Sequence, residues 1–212
     1  LPLILCTGLL AGCGGGRALS PGSTEGVDPA LPPPQRALIP TVDIAPATGW
    51  PQGAAPTPAR GLVVSRFAGG LEHPRWLHVL PNGDVLVAES NAPAGKSGVD
   101  GIKGKVMGVV MKRAGAGVPS AERISVLRDA DGDGIAEVRQ PFLTGLHSPF
   151  GMALVGDTLY IANADALVSV PYRTGQLRID AVPAEVVDLP GKGDELNHHW
   201  TKSLLASRDG AR

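Results

Sequence analysis

One short pattern occurs three times in this chain and restricts the folds open to it. Each copy begins at a leucine followed closely by histidine, and the copies start at Leu71, Leu146 and Leu196, which are 75 and then 50 residues apart. Each start leads into an apolar run, a turn signal and, in the first two copies, a second apolar run. A period near 50 residues with several short strands per unit predicts the blades of a β-propeller rather than a helical solenoid.

The turn chemistry predicts where the strands lie. In the first copy, residues 76–80 and 84–89 flank an Asn82-Gly83 turn, the strongest short-range signal for a β-hairpin. The second copy repeats this arrangement around a Gly156-Asp157 turn, and the third begins it. The predicted strands are 76–80, 84–89, 124–127, 137–143, 150–155, 158–162, 166–170, 185–189 and 203–206. In the longer first unit, apolar residues at helical spacing predict one amphipathic helix over residues 102–113.

Composition agrees with an all-β chain. There are 29 glycines and 20 prolines, and only 4% of residues are aromatic, which favours many turns and short strands. The net charge is −1 and 18% of residues are charged, so the chain lacks the basic field that a nucleic-acid partner requires. We therefore expect a small-molecule or protein partner and no nucleic acid.

The N-terminal region carries the pattern of an exported protein. Residues 3–12 form a short apolar segment of signal-peptide type, and it ends in Leu10-Ala11-Gly12-Cys13, which resembles the lipobox of bacterial lipoproteins. Residues 1–13 are thus predicted to be a lipoprotein signal with lipidation at Cys13; an ordinary secretory signal is the alternative. We expect a protein anchored by lipid to the bacterial cell envelope, on its periplasmic or extracellular face.

Three segments follow from these patterns. Residues 1–13 are the signal, and residues 14–60, rich in Gly and Pro, form a disordered tether because they bury too little apolar surface to offset their ordering entropy. Residues 61–212 form the propeller domain. Only two repeat units and the start of a third are present, so we expect about the first two to three blades of a larger propeller.

An acidic loop provides a candidate metal site. Asp129, Asp131, Asp133 and Glu137 occupy positions one, three, five and nine of a loop with glycine at position six, which is the spacing of the first part of an EF-hand. Carboxylates so placed converge on a hard cation, and the predicted ion is calcium. Position twelve is Gln140 instead of the bidentate glutamate, so a turn without an ion is the alternative.

Four of the five histidines, His73, His147, His198 and His199, lie in the three repeated start segments. The first strand of each propeller blade lines the central channel, so residues at these starts converge on one mouth. The alternative is that His-Pro pairs only shape the turns, which we favour for His73, and His78 in mid-strand is interpreted as structural. The spacing does not match a zinc site.

Several of these segments together resemble the sorbosone dehydrogenase family of bacterial quinoproteins, which are similar to pyranose dehydrogenases dependent on pyrroloquinoline quinone (PQQ). The resemblance covers residues 61–212 and rests on residues 71–76, 127–137, 145–152 and 197–202. It implies a six-bladed propeller when complete, with PQQ and calcium as cofactors. It also implies oxidation of a sugar or aldehyde, with electrons passing to a cytochrome or quinone acceptor.

The resemblance also suggests residue roles. A histidine before a Leu-rich strand is the general base in the related glucose dehydrogenases, and His199 occupies that position, with His198 the alternative. The same resemblance implies that Lys202, His147 and Arg75 contact the cofactor. It places the calcium that activates the quinone in later blades, so calcium at the Asp129 loop would be structural. A non-catalytic propeller that binds protein or carbohydrate at the cell envelope is the second hypothesis.

Overall fold

The computed structural model describes residues 22, 25–29, 45–93, 101–116, 118–190 and 199–210. The chain divides into two units, Leu1–Ala45 and Pro46–Arg212, and every element below belongs to the second. The predicted signal at residues 1–13, with Cys13, lies outside the described residues, and so does His198. Residues 45–60, the described end of the predicted tether, contain neither helix nor strand.

The described residues form eight strands and one helix. In chain order these are β1 (Pro74–Val79), β2 (Val85–Glu89), α1 (Gly101–Arg113), β3 (Arg123–Arg128), β4 (Val138–Thr144), β5 (Met152–Val155), β6 (Thr158–Ala162), β7 (Ala166–Pro171) and β8 (Ala184–Asp188). The all-β prediction is confirmed. The two predicted hairpins and the single helix are present within a few residues of their expected bounds.

The strands form two antiparallel sheets in simple sequential order, β1-β2-β3-β4 and β5-β6-β7-β8. Their registers follow from the turns. Leu77 pairs with Val87 across the Asn82-Gly83 turn, and Leu154 pairs with Leu159 across the Gly156-Asp157 turn. Gly83 and Gly156 have φ values of 89° and 56°, which glycine adopts without steric cost. Each repeat unit of the sequence therefore corresponds to one four-stranded sheet.

The two sheets share one hydrophobic core. Alternate residues of their strands point toward each other, so each sheet buries one face on the other. The largest fully buried side chain is Phe142 on β4, whose ring centroid lies 6.4 Å from that of Tyr172. The other members of the core are Leu80, Leu86, Ala88, Ile124, Val126, Leu143, Leu146, Met152, Leu159, Ile161, Ala166, Val168, Val170 and Ile179.

The start of each sheet is a strained turn. His73 and Ser148 each precede a proline and have φ values of 51° and 46°, a left-handed conformation that is costly for residues other than glycine. Each turn is held by hydrogen bonds. The carbonyl of His73 accepts from the backbone N–H of Ser90 at 3.2 Å, and the N–H of Ser148 donates to Glu122 Oε2 at 2.6 Å. The sequence repeat is thus also a repeat of backbone conformation. His73 contributes to its turn through its backbone carbonyl, which accepts the hydrogen bond from Ser90.

A buried carboxylate joins three parts of the first sheet. Glu89, at the end of β2, is 1% exposed and accepts hydrogen bonds from Arg123 Nε at 3.1 Å and Nη2 at 3.0 Å. It also accepts from the hydroxyl of Ser125 and from the backbone N–H of Glu72. Burial by itself raises the pKa of Glu89, but these donors outweigh it and lower the pKa below its ordinary value of 4.5.

The helix α1 begins one residue before the predicted range of 102–113 and ends, as predicted, at residue 113. Its last turn carries Lys112 and Arg113, which interact favourably with the negative end of the helix dipole. Within the part of the chain that the structure describes, no helix combines the length and the apolar character needed to span a bilayer.

The third repeat differs from the prediction. Residues 203–206 were expected to be a strand, but the structure assigns none to residues 199–210. The segment makes one backbone hydrogen bond to the second sheet, from Gly151 N–H to the carbonyl of Lys202 at 3.0 Å, and then turns at Ser207–Gly210. One backbone hydrogen bond is too few to form a β-ladder, so the segment lies beside β5 without joining the sheet.

Replacing Glu89 with alanine should lower the free energy of unfolding by about 3–5 kcal/mol, because Arg123 would lose its buried partner. Glu72→Ala provides the matched control. Glu72 also pairs with Arg123, at 3.2 Å, but its side chain is 67% exposed, so its loss should cost about 0–1 kcal/mol. Urea denaturation followed by circular dichroism measures both, and equal losses would contradict the role of Glu89.

The lowered pKa of Glu89 also predicts a pH dependence. Because the folded-state pKa lies below the unfolded value near 4.5, the stabilisation is fully present above about pH 4.5 and is lost as the pH falls through the folded pKa. Thermal melts of the wild type between about pH 7 and pH 3 should therefore show declining stability in the acidic part of that range. Glu89→Gln, which does not ionise, should show a shallower decline.

Candidate functional site

The first strands of the two sheets begin side by side. β1 contacts β5, and at their starts the rings of Trp76 and Phe150 lie with centroids 5.1 Å apart and planes tilted by 38°. The buried hydroxyl of Ser90 reinforces this contact by donating to the carbonyl of Pro149 at 2.6 Å. The starts of the first two repeat units therefore meet at one end of the domain.

The start of the third unit reaches the same place. Arg75 Cζ lies 5.2 Å from the ring centroid of Trp200, which is cation–π distance. Lys202 Nζ donates to the carbonyl of His199 at 2.9 Å. We call the set Arg75, His199, Trp200 and Lys202 the start cluster. It contains three of the four residues predicted to form the base and cofactor site.

Gly151 allows this approach. A Cβ atom at position 151 would lie 2.6 Å from the carbonyl oxygen of Lys202 and 2.5 Å from the backbone nitrogen of Leu204. Both atoms are backbone, so a side chain at 151 could be accommodated only if the segment moved. The position of Lys202 therefore depends on a residue without a side chain in the second unit.

The fourth predicted residue, His147, has other partners. Its Nδ1 lies 2.8 Å from Asp165 Oδ2, and its backbone N–H donates to Asn163 Oδ1 at 3.3 Å. His147 is 41% exposed and Asp165 is 25% exposed, so the imidazole reaches solvent. A carboxylate on Nδ1 orients the ring and directs Nε2 outward as an acceptor. The structure thus pairs His147 with the turn between β6 and β7.

His78 lies within β1, where burial lowers its pKa below the ordinary value of 6.5. This environment agrees with a structural histidine. An open groove of about 580 Å³ lies beside the start of β1 and is lined by Leu71, Glu72, His73, Val118, Pro119 and Ser120. The start cluster does not line it, so we do not assign the predicted chemistry to this groove.

The acidic loop brings its carboxylates together. Asp129, Asp131, Asp133 and Glu137 each offer an oxygen, and these atoms all lie within 4.8 Å of one another. Calcium binds oxygen at about 2.3–2.6 Å, so two ligands on opposite sides of the ion are separated by up to about 5 Å. The separations therefore fit one calcium ion. Three of the four side chains are exposed, which leaves the loop open to solvent.

Backbone N–H groups shape this loop. Gly132 and Gly134 donate to the two carboxylate oxygens of Asp129 at 2.7 and 2.9 Å, and Ala130 donates to Glu137 Oε2 at 2.7 Å. The bond from Gly134 is the main reason that the pKa of Asp129 is lowered, and that from Gly132 adds to it. Like an ordinary aspartate, Asp129 is ionised at neutral pH, the form that a cation requires, and the lowered pKa extends this form to more acidic pH.

Two residues of this region were given no role in the sequence analysis. Trp200 stands next to His199 in the motif that carried the family resemblance, but an aromatic residue gives no sign of its partner, here Arg75. Asp165 lies in the turn before β7. The sequence offers only its acidic side chain, in the same repeat unit as His147, as a sign that the two residues pair.

No protein-family model matches the chain, and no match was found among curated proteins or solved structures. The resemblance to the sorbosone dehydrogenases therefore stays a prediction from the sequence.

Calcium binding at the acidic loop predicts a rise in melting temperature when calcium is added to metal-free protein. At a calcium concentration of about 100 times the dissociation constant, the expected stabilisation is about 2.7 kcal/mol. Differential scanning fluorimetry measures it.

Asp129→Asn with Asp133→Asn should remove this calcium response. The control is Asp157→Asn with Asp180→Asn, which changes the net charge equally at sites outside the loop. An unchanged wild-type melting temperature across millimolar calcium would show that the loop is only a turn.

Proposed function

We propose that this chain belongs to a PQQ-dependent dehydrogenase that oxidises a sugar or an aldehyde, built on a β-propeller that has six blades when complete. The observation that carries the proposal is the meeting of three successive repeat starts, through Trp76 with Phe150 and Arg75 with Trp200. In a propeller these starts surround the mouth of the channel. A site assembled from separate repeat units is what such an enzyme uses.

The start cluster has the chemistry to receive PQQ, a planar molecule with three carboxylates and an ortho-quinone. Arg75 and Lys202 supply two cations, and guanidinium binds carboxylate through paired N–H groups. Trp200 supplies a ring next to them. The residues present therefore fit an anionic planar cofactor. His147 is engaged by Asp165, so its part in cofactor binding is limited to Nε2.

When bound, PQQ supplies a two-electron acceptor for hydride from the substrate carbon. His199 takes the proton of the hydroxyl group on that carbon, which is the anomeric hydroxyl of a sugar or one hydroxyl of an aldehyde hydrate, so a lactone or a carboxylic acid forms. Imidazole is the side chain best suited to accept and release a proton near neutral pH, which fits this task. His198, the adjacent residue, is the alternative base.

His147 is a second candidate base within the same proposal. Its pairing with Asp165 gives it the oriented imidazole that general-base catalysis uses. The two histidines differ in location, since His199 belongs to the start cluster, whereas His147 precedes β5 and is paired with Asp165 in the turn before β7. Variants at the two positions therefore separate them.

The remaining parts of the proposal concern location and partners. Lipidation at Cys13 would place the domain at the cell envelope, where a membrane quinone or a cytochrome accepts electrons. Calcium at the Asp129 loop would be structural, because the loop lies at the β3–β4 turn of the first sheet. A non-catalytic propeller that binds carbohydrate or protein is the alternative.

The test uses the complete gene product that contains this chain, supplied with PQQ and calcium, and measures reduction of a dye acceptor across a panel of aldoses and aldehydes. His199→Ala should lower kcat by about 10²–10⁴-fold, the usual contribution of a general base, and leave PQQ affinity nearly unchanged. Arg75→Ala and Lys202→Ala should instead weaken PQQ binding, measured by the cofactor's absorbance.

Three outcomes discriminate among the alternatives. Activity that survives His199→Ala but is lost in His147→Ala moves the base to the second unit, and survival of both moves it to His198. Without dye reduction on any substrate, the enzyme proposal fails, and carbohydrate binding measured on the same protein would then support the binding module.

A further inference from the structure

A basic face on α1 stands apart from the start cluster. Its cations, Lys105, Lys112 and Arg113, are all exposed. Lys112 follows Lys105 by seven positions, and Arg113 follows it by eight. At 3.6 residues per turn these positions lie on one side of the helix, with Val109 between them. Val109 is 71% exposed. We call these four residues the α1 basic face.

This face has no counter-charge of its own. The helix sequence contains no acidic residue, and none of the ion pairs among the described residues involves Lys105, Lys112 or Arg113. The chain as a whole has a net charge of −1, so the concentration of positive charge on α1 is local. A partner with negative charge complements it.

Exposed apolar residues accompany the charge. Besides Val109, Trp50 is 66% exposed. The segment that carries Trp50 is fixed to the helix, because the N–H of Ala47 donates to the carbonyl of Arg113 at 2.9 Å. Trp50 follows Ala47 by three residues, at most about 11 Å of chain, so it stays close to the basic end of α1.

Cations, isolated apolar side chains and a tryptophan form the combination found at membrane surfaces. Lysine and arginine interact with anionic headgroups, while valine enters the boundary of the acyl chains and tryptophan lies at headgroup level. An acidic protein partner would complement the charge, but single apolar side chains and a tryptophan beside a row of cations are the pattern of segments that lie in the headgroup region. The bilayer therefore accounts for more of the exposed side chains.

We propose that the α1 basic face and Trp50 bind the surface of a membrane rich in anionic lipids. This contact goes beyond the proposed dehydrogenase activity and requires neither that activity nor acylation of Cys13. The contact would also hold one side of the domain against the membrane.

The test is sedimentation of the full 212-residue chain with vesicles of phosphatidylcholine alone or with about a quarter phosphatidylglycerol. On the anionic vesicles each basic residue near the surface contributes about 1 kcal/mol to binding. Lys105→Glu, Lys112→Glu and Arg113→Glu together should lower partitioning onto the anionic vesicles by about ten-fold or more. Partitioning onto neutral vesicles should not change. The apolar segment at residues 3–12 is present in every protein compared, so its contribution cancels.

The matched control is Arg60→Glu, Arg173→Glu and Arg208→Glu, which changes the net charge by the same amount at exposed positions outside α1. It should retain most of the wild-type binding to anionic vesicles. Equal losses in the two triple variants would show a general charge effect and overturn the proposal, as would wild-type protein that does not distinguish the two vesicles.

Trp50→Ala tests the apolar part. Quenching of tryptophan fluorescence by lipids brominated on the acyl chains should be seen with the wild type on anionic vesicles and should fall markedly in the variant, in which Trp76 and Trp200 remain. Undiminished quenching would show that Trp50 does not enter the bilayer. Binding to a soluble acidic protein with no binding to vesicles would assign the face to a protein partner instead.

Discussion

The burial of one face of each sheet against the other is the constraint on which the rest of this domain depends. Two four-stranded antiparallel sheets in sequential order each have a single apolar face, and neither is stable alone in water. Phe142 and its neighbours fill the space between them. Because the two sheets are fixed by this core, their first strands start at the same end, and the side chains at those starts are brought into contact without being adjacent in sequence.

Two carboxylates, Glu89 and Glu122, hold the turns at which the sheets begin. The turns before β1 and β5 place His73 and Ser148 in a left-handed conformation, which costs energy at each. Glu89 accepts from the N–H next to the first turn, and Glu122 accepts from the N–H of Ser148. Arg123 and Ser125 satisfy the remaining oxygen sites of Glu89, so its charge is buried with partners. Packing supplies the stability of the domain, and these polar contacts set the direction in which each unit begins.

Much of the fold could be predicted because its signals are local. Three of these signals depend only on near neighbours in sequence: the Asn82-Gly83 turn, the alternation of apolar residues and their helical spacing in α1. They predicted the first hairpin, the paired strands of the two sheets and the position of the helix, and the structure contains all of these. The strand expected at residues 203–206 was wrong because a strand requires a partner, and a pattern in one segment cannot say whether the partner is present. The site was predictable in part. The repeat indicated that the starts of successive units would converge, whereas the pairing of His147 with Asp165 and the contact between Arg75 and Trp200 depend on long-range packing that no spacing in the chain encodes.

The contact between Gly151 and the backbone at Lys202 has a consequence for how sequence change acts on this protein. A hydrogen atom at position 151 determines how closely the backbone at Lys202 and Leu204 approaches the second sheet. The position of Lys202 is therefore controlled from a residue that itself offers no functional group. Among homologous chains, a larger residue at this position would indicate that the segment lies farther from the second sheet, even where the charged residues around it are the same.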